Sequence, residues 1–208
     1  KAARASHEQA LAKASLADIQ KSPDLLQFAM AEGKAAFGDN CVPCHGAGGQ
    51  GAHGYPNLND DIWLWGGKLS DIEHTITVGV RSTSSSTRES QMPAFGRDGI
   101  LKPGQVNDLA EYVLHLSGQP AETRAVRRAT ALFVDNCAGC HGTAGRGNRT
   151  VGAPNLTDNE WEYGPTRDDI KDQIWNGHGG VMPTWGGRLS PAEIKALAVY
   201  VHNLGGGE

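Results

Sequence analysis

The pattern that most constrains this chain is a doubled one: Cys41-Val-Pro-Cys44-His45 and Cys137-Ala-Gly-Cys140-His141. Cys-x-x-Cys-His is the attachment signature of c-type haem. Two thiols three positions apart reach the vinyl groups on one porphyrin edge as thioethers, and the histidine that follows is held under the iron. Other readings explain less. A zinc site would have to join the two pairs across a long gap and would leave both histidines idle. A thioredoxin-like dithiol needs a βαβ context, and no strand pattern precedes either motif.

A doubled motif predicts a doubled domain. Pro56-Asn57-Leu58 recurs as Pro154-Asn155-Leu156, and Trp63, Ile72, Ile76 and Gly79 recur as Trp161, Ile170, Ile174 and Gly177. Met92-Pro93-Ala94-Phe95-Gly96 recurs as Met182-Pro183-Thr184-Trp185-Gly186 at a shorter offset. Pro103, Val106, Leu109, Tyr112 and Leu116 then answer to Pro191, Ile194, Leu197, Tyr200 and Leu204. The first half therefore carries an insertion, rich in Ser and Thr, over Arg81 to Gln91.

Both halves read as helical. Ser190, Pro191 and Glu193 form an N-cap, a first-turn proline and a capping box, and Ile194, Leu197, Val201 and Leu204 follow at spacings of three and four. Val106, Leu109, Val113 and Leu116 repeat the spacing, with Gly118 and Gly205 as stop signals. Capping patterns open shorter helices at Ser70-Asp71-Ile72-Glu73 and Thr166-Arg167-Asp168-Asp169. Ahead of each haem motif a small residue stands four positions before a phenylalanine, Gly33 before Phe37 and Ala129 before Phe133, which lets another helix approach closely.

Composition narrows the function classes. Nineteen basic against twenty-three acidic residues give a net charge of −4; the chain has no basic footprint, and nucleic acid drops out as a partner. Each half is short and glycine-rich, too lean in apolar residues to fold comfortably alone. A buried covalent haem supplies the missing apolar volume.

The sixth iron position separates electron carriers from oxygen or peroxide chemistry. Two of the three methionines, Met92 and Met182, occupy equivalent Met-Pro loops, and thioether ligation at both makes two six-coordinate relays of raised potential. Met30 reads as core filler. His53 and His178 read as polar loop residues, and His7, His74, His115 and His202 as helix-face positions. The carbonyls of Pro56 and Pro154 are placed to accept from the free N–H of each haem-motif histidine. Trp63, Trp65 and Trp161 either bond haem propionates through the indole N–H or simply pack.

Each half, with its Cys-x-x-Cys-His, Pro-Asn-Leu, Met-Pro loop and terminal helix in order, resembles a class I cytochrome c. Phe28 to Lys34, Tyr55-Pro56-Asn57-Leu58-Asn59-Asp60-Asp61 and Trp63-Leu64-Trp65-Gly66-Gly67 resemble the dihaem CcoP (FixP) subunits of cbb3-type haem-copper oxidases. The resemblance implies an all-α fold of two tandem class I cytochrome c domains, each a few helices wrapped around a covalently bound haem. It implies that Cys41, Cys44, His45, Met92, Cys137, Cys140, His141 and Met182 attach and ligate two haem c groups. It further implies electron relay from soluble cytochrome c donors to a monohaem cytochrome c subunit and on to the oxygen-reducing catalytic subunit, so that the chain is no enzyme on its own. The setting implied is the periplasmic side of a bacterial inner membrane.

The expected division is residues 1–27 as a helical extension after a membrane anchor lying before Lys1, then cytochrome domains at 28–118 and 119–208. If no anchor precedes Lys1, a free periplasmic dihaem carrier of the cytochrome c4 kind is the alternative. A dihaem peroxidase needs an open iron, which the matched methionines oppose. The scant slack between Gly118 and Ala121 predicts domains packed together. The insertion is expected either to shape a face of that pack or of a partner's dock, or to be a solvated loop.

Overall fold

The computed structural model describes residues 2–208, with side chains from residue 5. The described residues form helices joined by loops, with isolated β-bridges in place of strands. The fold class is all-α, as the sequence predicts. The helices are α1 (Ala2–Lys13), α2 (Leu16–Lys21), α3 (Pro23–Asn40), α4 (Val42–His45), α5 (Leu69–Val78), α6 (Pro103–Leu116), α7 (Thr123–Asn136), α8 (Ala138–His141), α9 (Arg167–Asn176) and α10 (Pro191–His202). The capping boxes at Thr166 and Ser190 form as the sequence requires. The one at Ser70 does not: α5 begins at Leu69, with Lys68 at the N-cap and no side-chain cap bond.

The chain makes two compact units by contact, and their boundaries do not run with the two repeated halves of the sequence. Residues 1–88 and 181–208 form one unit; residues 89–180 form the other. In the first, α10 packs on α3 and α5. In the second, α6 packs on α7 and α9. Each haem-motif helix therefore receives the terminal helix of the opposite half of the sequence. Position 118, expected to divide two domains, lies inside the second unit. The physical reason is the short link from Ser117 to Glu122. Closing so short a loop makes α6 and α7 neighbours at low entropic cost.

In the first unit α10 lies against α3 with almost no space: a Cβ placed on Gly33 would stand 2.2 Å from the Ala196 carbonyl oxygen. Phe37 then meets Tyr200 with ring centroids 5.4 Å apart. Phe37 and Leu197 are each 1% exposed within one apolar cluster with Ile72 and Ile76. The 1–27 extension belongs to this unit. Leu11 of α1 and Ile19 of α2 bury against Ala29, Ala196 and Val199, and Lys195 Nζ donates to the Ala12 and Ala14 carbonyls that end α1 (2.8 and 2.6 Å).

In the second unit Phe133 meets Tyr112 at 4.8 Å, and Arg128 of α7 forms a bidentate bond to Asp108 of α6 at 2.7 and 2.8 Å. Among the described residues no helix equivalent to α1 or α2 packs in this unit, and its residues differ accordingly. Where α10 has Val199 and α5 has Leu69, both packed in the cluster under α1 and α2, the second unit has Glu111 and Arg167, joined as an ion pair. The Glu111 carboxylate also accepts from the Glu122 N–H at the start of α7 (2.7 Å). One side chain thus ties α6, α7 and α9.

Glu111→Ala should lower the urea midpoint of the second unit, since it removes the carboxylate that joins α6 to Arg167 and to the start of α7, a bond worth roughly 1 kcal/mol. The Arg167 hydrogen bond holds the Glu111 carboxyl below its usual range. Its stabilisation is therefore complete above the unfolded glutamate pKa of about 4.3 and is lost as pH falls through the lower folded value. The variant should show a flatter acid limb than the parent in urea titrations run across that window.

Candidate functional site

The two candidate sites are built alike. In each, the haem-motif cysteine caps a long helix: Cys41 N–H donates to the Phe37 carbonyl and Cys137 N–H to that of Phe133, both at 2.8 Å. One further turn, α4 or α8, carries the histidine. The Pro-Asn-Leu loop comes back over it because the asparagine side chain closes a local turn, Asn57 Oδ1 accepting from Asn59 N–H (2.9 Å) and Asn155 Oδ1 from Thr157 N–H (3.0 Å). The proline carbonyl is thereby aimed at the imidazole. His45 Nδ1–H donates to Pro56 O and His141 Nδ1–H to Pro154 O, each at 3.0 Å.

This bond leaves Nε2 of each histidine as the outward nitrogen, and no hydrogen-bond partner takes it among the described residues. Burial lowers both imidazole pKa values, with the proline carbonyl opposing. A neutral imidazole with a fixed tautomer is the form that binds iron. Burial, helped by the neighbouring thiol, pushes Cys41 and Cys137 up to about 11. Neither is a thiolate at neutral pH, which disfavours a reactive dithiol. Cys41 with Cys44 and Cys137 with Cys140 fall in different units, and no group of three or more His, Cys, Asp and Glu side chains is placed to hold a metal ion among the described residues.

The methionines are where the structure departs most from sequence order. Met182 packs against the buried cluster of the first unit that includes Phe37, as do Cys41, Val42 and Trp63. Met92 packs against the buried cluster of the second that includes Phe133, as do Cys137, Ala138 and Trp161. Each haem motif thus shares its apolar cluster with the methionine of the other half.

Each methionine loop is seated on the C-terminal end of a short helix. Met182 and Val80 exchange two backbone hydrogen bonds of 3.0 Å, and the Trp185 and Gly186 N–H groups donate to the Ile76 and Thr77 carbonyls. Gly79 and Gly177 end these helices at φ +73° and +62°; a Cβ there would stand 2.4 Å from Met182 O and 2.3 Å from Met92 O. The repeat of Gly79 as Gly177 is visible in the sequence, but its use as a seat for these loops is not.

The 81–91 insertion is folded rather than loose. Arg81 N–H donates to Arg88 O and Arg88 N–H to Gly79 O. Val80 bridges to Arg88 on one side and Met182 on the other. The Arg88 guanidinium lies 5.2 Å from the Trp65 ring centroid and donates to Thr75 Oγ1 (2.8 Å). The insertion thus backs the segment that holds the Met182 loop. Trp63 donates its indole N–H to Gly206 O at 2.8 Å, so that donor is already engaged. His178 Nε2 lies 2.5 Å from Asp172 Oδ2, and the ring stacks on Tyr163. Sequence reasoning passed over Gln173, whose Nε2 lies 3.5 Å from Met92 Sδ.

Residues 30–117 match the "Cytochrome c" family model and residues 124–201 that of "Cytochrome C oxidase, cbb3-type, subunit III". The cbb3-type cytochrome c oxidase subunit FixP of Bradyrhizobium sp. (strain ORS 278) is 56% identical over 200 residues, covering 96% of this chain and 69% of the relative. Subunit CcoP of Cereibacter sphaeroides is 48% identical over 207 residues (99% and 71%), and that of Azospirillum brasilense 47% over 215 (100% and 73%). The chain belongs to the CcoP/FixP family. As a CcoP/FixP protein with two cytochrome c domains it carries two covalent haem c groups and serves electron transport. The family models follow sequence, so their two matched stretches are the repeated halves, whereas each spatial unit draws on both. No helix among the described residues is long and apolar enough to cross a membrane.

Proposed function

We propose that the chain is a two-centre relay whose ligand sets are crossed: Cys41, Cys44 and His45 with Met182 in one unit, and Cys137, Cys140 and His141 with Met92 in the other. The observation that carries this is the sharing of each apolar cluster by one haem motif and the opposite half's methionine. Haem held by these residues would supply a one-electron couple between ferrous and ferric iron. Pro56 and Pro154 hold the imidazoles in one tautomer. Gly79 and Gly177 seat the methionine loops, and Phe37, Phe133 and the paired tyrosines keep water from the clusters. With an imidazole and a thioether offered to each haem, neither centre would be suited to reducing oxygen or peroxide.

The family places the chain beside other oxidase subunits. In this reading it takes electrons from a soluble cytochrome c at the periplasmic side of a bacterial inner membrane and passes them to a monohaem cytochrome c subunit, oxygen being reduced in the catalytic subunit. The names of the relatives as oxidase subunits favour this over a free carrier of the cytochrome c4 kind.

The chain passes from one unit to the other at two places, 88 to 89 and 180 to 181, so both centres are held in one molecule by two covalent links. Flash reduction of one haem should be followed by equilibration with the other at a rate independent of protein concentration. A rate that scales with concentration would mean transfer between molecules and would overturn the relay.

A further inference from the structure

The two units repeat the same haem-motif hydrogen bonds, yet their methionine sulfurs meet different surroundings. In the second unit Gln173, on α9, donates one Nε2 hydrogen to the His178 carbonyl (3.0 Å) and directs the other at Met92 Sδ (3.5 Å). Its Oε1 is buried without a protein partner. Turning the amide over would set that oxygen against a carbonyl and a sulfur lone pair, so the donor orientation is the one the surroundings enforce. Gln91 steadies the same loop from its other side, donating to the Gly177 carbonyl at 2.6 Å.

In the first unit the position equivalent to Gln173 is Thr75. Its hydroxyl donates to the Asp71 carbonyl (2.7 Å) and accepts from Arg88 Nε (2.8 Å). That hydrogen is committed to its own helix, and no hydrogen-bond donor reaches Met182 Sδ among the described residues. The 81–91 insertion, present in one half only, supplies the arginine that donates to Thr75.

We propose that Gln173 is a positioning and tuning residue for the sixth ligand of one haem only, raising the potential of the His141/Met92 centre relative to what the same ligands would give without it. A thioether sulfur has two lone pairs. With one toward iron, the other accepts the Gln173 N–H. That bond draws electron density from sulfur and weakens its donation to ferric iron more than to ferrous iron, so reduction is favoured. Hydrogen bonding around an axial ligand is one of the recognised means by which a protein sets a haem potential. In the other half Thr75 spends its hydroxyl hydrogen on the Asp71 carbonyl and only accepts from Arg88, so the Met182 centre is without this influence. Two otherwise matched ligand sets are thereby made unequal.

This inference rests on the crossed ligand sets proposed above, and its test separates the two. The haem-loaded chain would be titrated potentiometrically while the methyl resonance of each axial methionine is followed by NMR. Each resonance is assigned by its own Met→Ala variant, and each haem by its own histidine's resonances. Gln173→Leu and Gln173→Met remove the donor with little change in bulk. Both should raise the oxidised-to-reduced ratio of the His141 haem at a fixed potential by about fivefold, the scale of one neutral hydrogen bond, and leave the His45 haem unchanged as an internal reference. A shift of less than about 1.5-fold at the His141 haem, or an equal shift at both, would overturn the role of Gln173. If Met92→Ala instead strips the ligand from the His45 haem, the crossed assignment itself fails. If one variant does not fold, the other decides; the linear thioether of Gln173→Met follows the path of the glutamine chain.

Discussion

When the second haem motif is disabled by Cys137→Ala with Cys140→Ala, Met182→Ala is expected to turn the remaining iron from low-spin to high-spin. It should also abolish the weak red-edge sulfur-to-iron charge-transfer band of the oxidised protein. Met92→Ala in the same background should leave both signals intact. The expectation follows from the apolar cluster in which Cys41, Val42 and Phe37 pack with Met182, while Met92 packs with Cys137 and Phe133. It also follows from the backbone bonds that seat Met182 on Val80. The reciprocal background, Cys41→Ala with Cys44→Ala, should reverse the roles of the two methionines. Near-infrared absorption and electron paramagnetic resonance read the outcome. Loss of the band on changing the methionine of the same sequence half would reinstate the linear order of ligands and end the crossed reading.

The second large effect is expected at Gly33. A methyl group there would lie 2.2 Å from Ala196 O and 2.6 Å from Tyr200 Cβ, both parts of α10 that cannot swing aside. Gly33→Ala should therefore push α10 off α3 and cost roughly 3 kcal/mol or more, the upper range for overpacking. Because α10 is joined to the Met182 loop, the His45 haem should lose its charge-transfer band at lower urea concentration than in the parent. The His141 haem should keep its own midpoint. Gly38 lies on the same helix with nothing within 4 Å of a Cβ. Gly38→Ala should instead stabilise the helix by about 0.5–1 kcal/mol. Equal midpoints for the two variants, followed at the haem bands, would show that the α3–α10 approach is not what holds the methionine loop.

Much of each site was legible because its parts are close in sequence. The haem motif, the Pro-Asn-Leu turn that aims a carbonyl at the histidine, the capping boxes at Thr166 and Ser190 and the amphipathic face of α10 all act over a few to a dozen residues. Spacing alone reports such interactions. Gln173 was not legible, because its partner Met92 lies in another loop far along the chain and nothing local marks a glutamine on an amphipathic helix. Arg88 was hidden in the same way. The Ser- and Thr-rich stretch around it reads as loop, while the structure ties it down through Thr75 and Trp65.

The sequence by itself determined that there are two haem motifs, two methionine loops and two terminal helices, and that every apolar face has a complementary one. It could not announce which copy pairs with which through its apolar pattern, because Tyr112 and Tyr200, or Leu109 and Leu197, are chemically equivalent partners for Phe37 and Phe133. Tertiary structure decided that. The short link from α6 to α7 favours their pairing, and the polar positions agree with it. In the observed pairing Asp108 meets Arg128 and the Ala196 backbone meets Gly33. The uncrossed pairing would set Asp108 against Glu32, the residue equivalent to Arg128, placing two carboxylates together with no compensating cation. Repeats leave the choice of partner open in the core; loop length and a few charges close it.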